Sequence, residues 1–130
     1  LCFHKDTKLK LKNGNFKTIK EINLGDILKN GDIIEGKVEV KNWNNDLDNI
    51  KEEFYSLPNG ENKEDILVTG KHLIWLNDKW DYVKNHPLAK KTNTSSPFLY
   101  CLITNNHHIS IGDYTFWDWE DTPDMVKHLN

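Results

Sequence analysis

Apolar and polar residues alternate over much of the chain, with the period of a half-buried β-strand. Thr7-Lys8-Leu9-Lys10-Leu11-Lys12 places Leu9 and Leu11 on one face and Lys8, Lys10 and Lys12 on the other. Asn13-Gly14 separates this run from Phe16-Lys17-Thr18-Ile19. The pattern predicts a β-hairpin closed by a type I′ turn, in which both central residues take positive φ. Leu24-Gly25-Asp26-Ile27-Leu28 predicts a turn feeding a strand, Asn30-Gly31 a second tight turn, and 33–43 a long strand with Val38 and Val40 on one face. Residues 44–49 are polar and predict a loop, and 54–57 predict a strand closed by Pro58-Asn59-Gly60. The apolar run 66–76 is broken only by Thr69-Gly70-Lys71-His72. A short strand is predicted at 80–83, a polar linker at 87–97, and a long apolar stretch at 98–111 interrupted at 104–108. The tail differs. Thr122 suits an N-cap, Pro123 a first helical position, and Met125, Val126 and Leu129 share a helical face, so a short helix is expected over 123–129.

The sum is an all-β fold of about ten short strands, in one domain spanning 1–130, with a short C-terminal helix. Apolar residues are 37% of the 130, enough for a modest core. All 17 basic residues are lysine, against 20 acids, for a net charge of −3. A dedicated nucleic-acid binder would carry a strong basic excess, so no nucleic-acid partner is expected. No apolar run nears the roughly 20 residues of a membrane-spanning helix, and no signal peptide is visible. The expectation is a monomer without a membrane partner, in a reducing, intracellular setting.

Two segments echo each other. Ile66-Leu67-Val68-Thr69-Gly70-Lys71-His72-Leu73-Ile74-Trp75-Leu76 and Cys101-Leu102-Ile103-Thr104-Asn105-Asn106-His107-His108-Ile109-Ser110-Ile111 share the order Leu, aliphatic, Thr, two residues, His, one residue, Ile. The offset is 35 positions. Two copies are too few for a repeat array but suit a domain with two related halves.

The candidate chemistry starts from the only two cysteines, Cys2 and Cys101. They form no disulfide scaffold and no CxxC knuckle. One Cys2–Cys101 disulfide, or a free and chemically used thiol, remain as alternatives. The opening Cys2-Phe3-His4-Lys5-Asp6-Thr7-Lys8-Leu9, the turn glycine Gly14, and the series Ile19, Ile22, Gly25 and Asp26 resemble the start of the Hint family, shared by inteins, bacterial intein-like domains and the autoprocessing part of hedgehog proteins. Thr69-x-x-His72 and Tyr100-Cys101-Leu102-Ile103-Thr104-Asn105-Asn106-His107 are similar to the next two landmarks, in the family's order. Over roughly residues 2–111 the resemblance implies the Hint horseshoe with pseudo-twofold halves.

The chemistry of such a site follows from general requirements. Cleaving an amide at neutral pH needs an activated nucleophile, a polarised carbonyl and a protonated leaving nitrogen. A thiol just after the scissile carbonyl can attack its own upstream peptide bond through a five-membered ring. Intramolecular attack of this kind supplies about 7–11 kcal/mol. Cys2 is then the nucleophile of an N-to-S acyl shift. His72 protonates the departing nitrogen of the Leu1–Cys2 bond, since an imidazole exchanges protons near neutrality. Thr69 steadies the amide by a hydroxyl hydrogen bond. Cys101, Thr104 and His107 make the supporting half. Many inteins carry Asp where Cys101 stands. Cys101 is a second acyl acceptor, a disulfide partner of Cys2 or a small buried apolar residue.

The expected substrate is the chain's own N-terminal flanking polypeptide, ending at Leu1, with water, a thiol or an amine as acyl acceptor. The flank is cleaved or transferred. Splicing inteins end in His-Asn. Here the order is His128-Leu129-Asn130, so splicing through Asn130 is the alternative and cleavage is preferred. Cys2, His4, His72, Cys101 and His107 are zinc-ligand types, but without local knuckle spacing no metal or other cofactor is expected. A non-catalytic binding module using the Trp117-Asp118-Trp119-Glu120 patch is the remaining alternative.

Overall fold

The computed structural model describes residues 2–42 and 52–120. The loop expected at 44–49, the helix at 123–129 and Asn130 lie outside the described residues. Apart from two three-residue helical turns, the regular elements are strands: β1 (Lys8–Lys10), β2 (Phe16–Thr18), β3 (Ile34–Lys41), β4 (Phe54–Leu57), β5 (Ile66–Thr69), β6 (Leu73–Leu76), β7 (Lys79–Tyr82), β8 (Lys90–Lys91), β9 (Phe98–Thr104), β10 (His108–Ile111) and β11 (Tyr114–Trp117). The linker expected at 87–97 contains β8, which pairs with β4. β11 is an element the hydrophobic pattern did not single out. Its Tyr114 and Phe116 are buried while Thr115 and Trp117 are partly exposed, the alternation of a one-faced strand.

β1 and β2 form the expected hairpin, with Leu9 opposite Lys17. The turn is not type I′. Gly14 N–H donates to Leu11 O (2.9 Å), Leu11 N–H to Asn15 O (2.8 Å), and Gly14 has φ of 91°. Asn13 is not among the positive-φ residues. This is a three-residue loop with a left-handed glycine, which needs positive φ at one position only. Leu28-Lys29-Asn30-Gly31-Asp32 repeats it, with Gly31 at φ 95° and the same two hydrogen bonds, both 2.8 Å. The two loops lie against each other through a Leu11–Leu28 bridge. The strand expected after Leu24 is reduced to this bridge and one between Ile27 and Ile33. Gly25 takes φ of 88°, and the Asp26 carboxylate accepts Asn23 N–H and Lys17 Nζ (both 2.9 Å). The Lys17 ammonium, then Asn23 N–H, hold that carboxyl below its usual range. The Gly25-Asp26 pair therefore builds scaffold.

β3 and β9 make a long antiparallel ribbon, from Lys41 opposite Phe98 to Ile34 opposite Thr104, with an irregularity at Gly36. β5-β4-β8 form a second sheet and β10-β11-β6-β7 a third. The echo expected at 66–76 and 101–111 runs further than the sequence suggests. His72 N–H donates to Thr69 O (3.1 Å) and Val83 N–H to His72 O (2.9 Å). Thirty-five positions on, His107 N–H donates to Thr104 O (3.2 Å) and Asp118 N–H to His107 O (2.9 Å). Each half is strand, histidine turn, strand, two-residue turn, strand. One continuous core, including the fully buried Phe3, Phe54, Phe116, Leu9, Ile19, Ile22 and Ile74, lies between the sheets.

Candidate active site

The segment Cys2-Phe3-His4 is an extra strand inserted between β5 and β9. Phe3 bridges Val68 on one side and Tyr100 on the other. Phe3 N–H donates to Tyr100 O (2.7 Å), Tyr100 N–H to Phe3 O (2.9 Å), and His4 N–H to Leu67 O (3.0 Å). The Phe3 side chain is fully buried, its ring 4.6 Å from the His72 ring and 5.0 Å from Phe116. A large aromatic placed there anchors the whole segment. Cys2 is 1% exposed as a result.

On its β5 side Cys2 meets Thr69. Cys2 N–H donates to the Thr69 hydroxyl oxygen (3.0 Å), and Thr69 N–H donates to Cys2 O (2.9 Å). Thr69 ends β5, and Gly70-Lys71 turn the chain so that His72 returns to the same place. Gly70 is needed for that turn to close, because a Cβ there would lie 2.6 Å from the Tyr55 ring. His72 is 2% exposed, with Nε2 2.7 Å from Trp117 O. A carbonyl oxygen only accepts, so Nε2 carries a proton and donates it.

On its β9 side Cys2 meets Cys101. Phe3 and Tyr100 exchange both backbone hydrogen bonds, so the next pair along the antiparallel ladder is Cys2 and Cys101. Both are free thiols and both are buried. The neighbouring Cys101 thiol lowers the Cys2 pKa against the opposing effect of burial, while the Cys101 S–H donates to Leu102 O (3.8 Å). Burial first, and then the neighbouring Cys2, push the Cys101 pKa well up.

Cys2, Thr69, His72 and Cys101 are thus brought together. Thr104 and His107 are not part of that cluster. Thr104 is fully buried, its N–H donating to Asp118 Oδ2 (3.0 Å) and its hydroxyl to His108 O (2.9 Å). His107 Nδ1 lies 3.2 Å from the same Asp118 Oδ2. Its ring stacks on Trp117 at 5.3 Å. Asp118, buried to 5% exposure, is a residue the sequence reading did not select. The available signal was its place 35 positions after Val83, at the end of the echoed unit. The two histidine turns meet at one peptide unit: Trp117 O accepts from His72, and Asp118 N–H donates to His107 O. Among the described residues no group of three or more His, Cys, Asp or Glu is arranged to hold a metal. Trp75, Trp80, Trp117 and His108 form an edge-to-face aromatic cluster on the β10-β11-β6-β7 sheet.

No protein-family model and no curated protein matches the sequence. Solved structures do match. The gp41-1 intein superposes with a TM-score of 0.63 at 13% identity, over 89% of this chain and 97% of that one. A splice-inactive AceL NrdHF class 3 split intein, linked to GSH, gives 0.58 at 14% identity, over 93% and 99%. The MchDnaB-1 intein gives 0.54 at 13%, over 89% and 98%. The chain has the all-β Hint fold of the inteins, as the motif order implied. The match spans nearly the full length of each intein.

Proposed function

We propose that the chain is a self-processing domain that performs an N-to-S acyl shift at Cys2. The observation that carries this reading is the Cys2 amide N–H held at 3.0 Å by the Thr69 hydroxyl, one turn from His72. The Cys2 sulfur attacks the carbonyl carbon of Leu1, and the C–S bond forms through a five-membered ring. The C–N bond then breaks, and the nitrogen takes its proton from the imidazolium of His72, whose Nε2–H is fixed on Trp117 O. The product is a thioester between Leu1 and Cys2. Water, a thiol or an amine then takes the acyl group and releases the N-terminal flank. Cys101, beside Cys2, lowers its pKa and so favours the attacking thiolate.

A reporter fused upstream of Leu1 tests this. Dithiothreitol or hydroxylamine should release it from the parent and not from Cys2→Ala. A fusion that stays intact at pH 6–8 under both reagents would instead support a non-catalytic binding module.

One observation favours a C-terminal break as a second reading: β11 ends at the reaction centre, its last carbonyl on His72; because Trp119 has no hydroxyl or thiol to take the acyl group, such a break at Asp118 would be cleavage and not splicing. The resemblance places the last intein strand beside the N-terminal cysteine. Asp118 then stands at the downstream break, and Asn130 lies outside the described residues. An Asp118 carboxylate oxygen would close a five-membered anhydride on its own carbonyl carbon. The bond to Trp119 nitrogen breaks, that nitrogen takes a proton, and water reopens the anhydride. With a second reporter after Asn130, mass spectrometry separates a product ending at Asp118 from one ending at Asn130.

A further inference from the structure

Asp118 is a buried carboxylate that the acyl shift does not consume, and its contacts all tighten the end of β11. Its side chain has no exposed surface. Oδ2 accepts Thr104 N–H (3.0 Å) and lies on His107 Nδ1 (3.2 Å), and Oδ1 accepts Glu120 N–H (2.9 Å). Its own N–H donates to His107 O (2.9 Å). The carbonyl of the same peptide unit is Trp117 O, the acceptor of His72 Nε2–H at 2.7 Å. A peptide is a rigid plane, so holding its nitrogen end fixes the direction of its oxygen.

Two further observations set this arrangement apart from the matching turn of the first half. Val83, 35 positions earlier, makes the same backbone bond to His72 O and is equally buried, with an aliphatic side chain. A valine therefore serves the fold at that place, whereas a buried carboxylate carries a desolvation cost that its hydrogen bonds must offset. His107 sits at φ 64°, a left-handed conformation disfavoured for a residue with a Cβ, and His72 is not among the positive-φ residues. In that conformation the His107 ring reaches Asp118 and stacks on Trp117. Strain and buried charge coincide at the one peptide that holds His72.

We propose that Asp118, oriented by His107, is the positioning residue for His72. It fixes the Trp117–Asp118 peptide, whose carbonyl oxygen holds the imidazole ready to protonate the departing Cys2 nitrogen. Asp118 acts through that backbone group and not on the reacting atoms. The role rests on the acyl-shift reading. The hydrogen bonds at the two ends of the peptide polarise one another, so loosening the nitrogen end weakens the bond to His72 as well.

Asp118→Asn keeps the shape and replaces one acceptor oxygen with a donor, so the three donors around it can no longer all be satisfied. Hydroxylamine release of an upstream reporter should slow by about tenfold or more, because a general acid out of place loses much of its effect. The spectroscopic readout is the His72 Nε2 proton in the NMR spectrum of the parent chain, assigned by its loss in His72→Gln. Burial and the bond to Trp117 O should protect it from exchange, and Asp118→Asn should expose it. His107→Asn, at a half-exposed position and tolerant of positive φ, should move both readouts in the same direction. A folded Asp118→Asn with parent-like release, or slowed release with an unchanged His72 signal, overturns the proposal. If Asp118→Asn does not fold, His107→Asn decides on the same two readouts. No release from the parent would count against the acyl shift, while the His72 signal would still test the positioning.

Discussion

The Cys2 thiol works under two opposed influences. Burial raises its pKa, and the neighbouring Cys101 thiol lowers it, with the second dominant. Replacing Cys101 with alanine removes that neighbouring thiol and leaves the burial, so the Cys2 pKa should move up. Reporter release from Cys101→Ala is therefore expected to be slower than parent near pH 7 and to recover as the pH rises. The pH–rate profile checks this. Were Cys101 an obligatory acyl acceptor, the loss would be the same at every pH. The same residue pair shows what a sequence can reveal about a site. The Thr69-x-x-His72 spacing is legible because one turn brings the two into reach locally, and Cys2 is legible because it opens the ordered motifs. Asp118 is not, because its two neighbours in space, Thr104 and His107, lie 14 and 11 positions away.

Turns set the register of the strands that carry these groups. Asn77 and Asp78, at φ 52° and 63°, form the two-residue turn between paired Leu76 and Lys79. Positive φ at both central positions is the type I′ pattern, placed here and not at Asn13-Gly14. Gly112, at φ 55°, opens the equivalent turn between β10 and β11. The two glycine environments predict different costs. A Cβ on Gly14 meets nothing within 4 Å, so Gly14→Ala should lose only the left-handed backbone penalty, about 1–2 kcal/mol. A Cβ on Gly112 would sit 2.0 Å from Asn59 O, which backbone cannot easily yield. Gly112→Ala should therefore destabilise more than Gly14→Ala and displace β11, which carries Trp117 O. Urea unfolding of the two variants ranks them, and equal midpoints would contradict this account.

The N-terminal segment ties the two halves together. Phe3 pairs with β5 of the first half and β9 of the second, and its ring packs on His72 and Phe116. Phe3→Ala should cost about 3–5 kcal/mol and abolish reporter release, since Phe3 anchors the strand that sets Cys2 against Thr69. Phe3→Leu, which keeps most of the buried volume, should retain release at a reduced rate. Denaturant unfolding alongside the reporter assay separates the two effects. Normal release from Phe3→Ala would mean that Cys2 is positioned by something other than this insertion.

Local periodicity determined the strands, most of the turns and the all-β class, because a period of two and a turn glycine act within a few residues. The ordered motifs also determined the Hint fold. Tertiary structure alone decided that β8 and β11 are strands, since their pairing partners β4, β6 and β10 supply what two to four residues cannot. It also decided that Cys2 faces Cys101, because that register depends on one bridge between residues 97 positions apart. The Thr104–His107 turn, so similar in sequence to Thr69–His72, was turned by its surroundings to a different use: the buried Asp118 carboxylate accepts the Thr104 N–H where, in the first turn, the Cys2 carbonyl accepts that of Thr69.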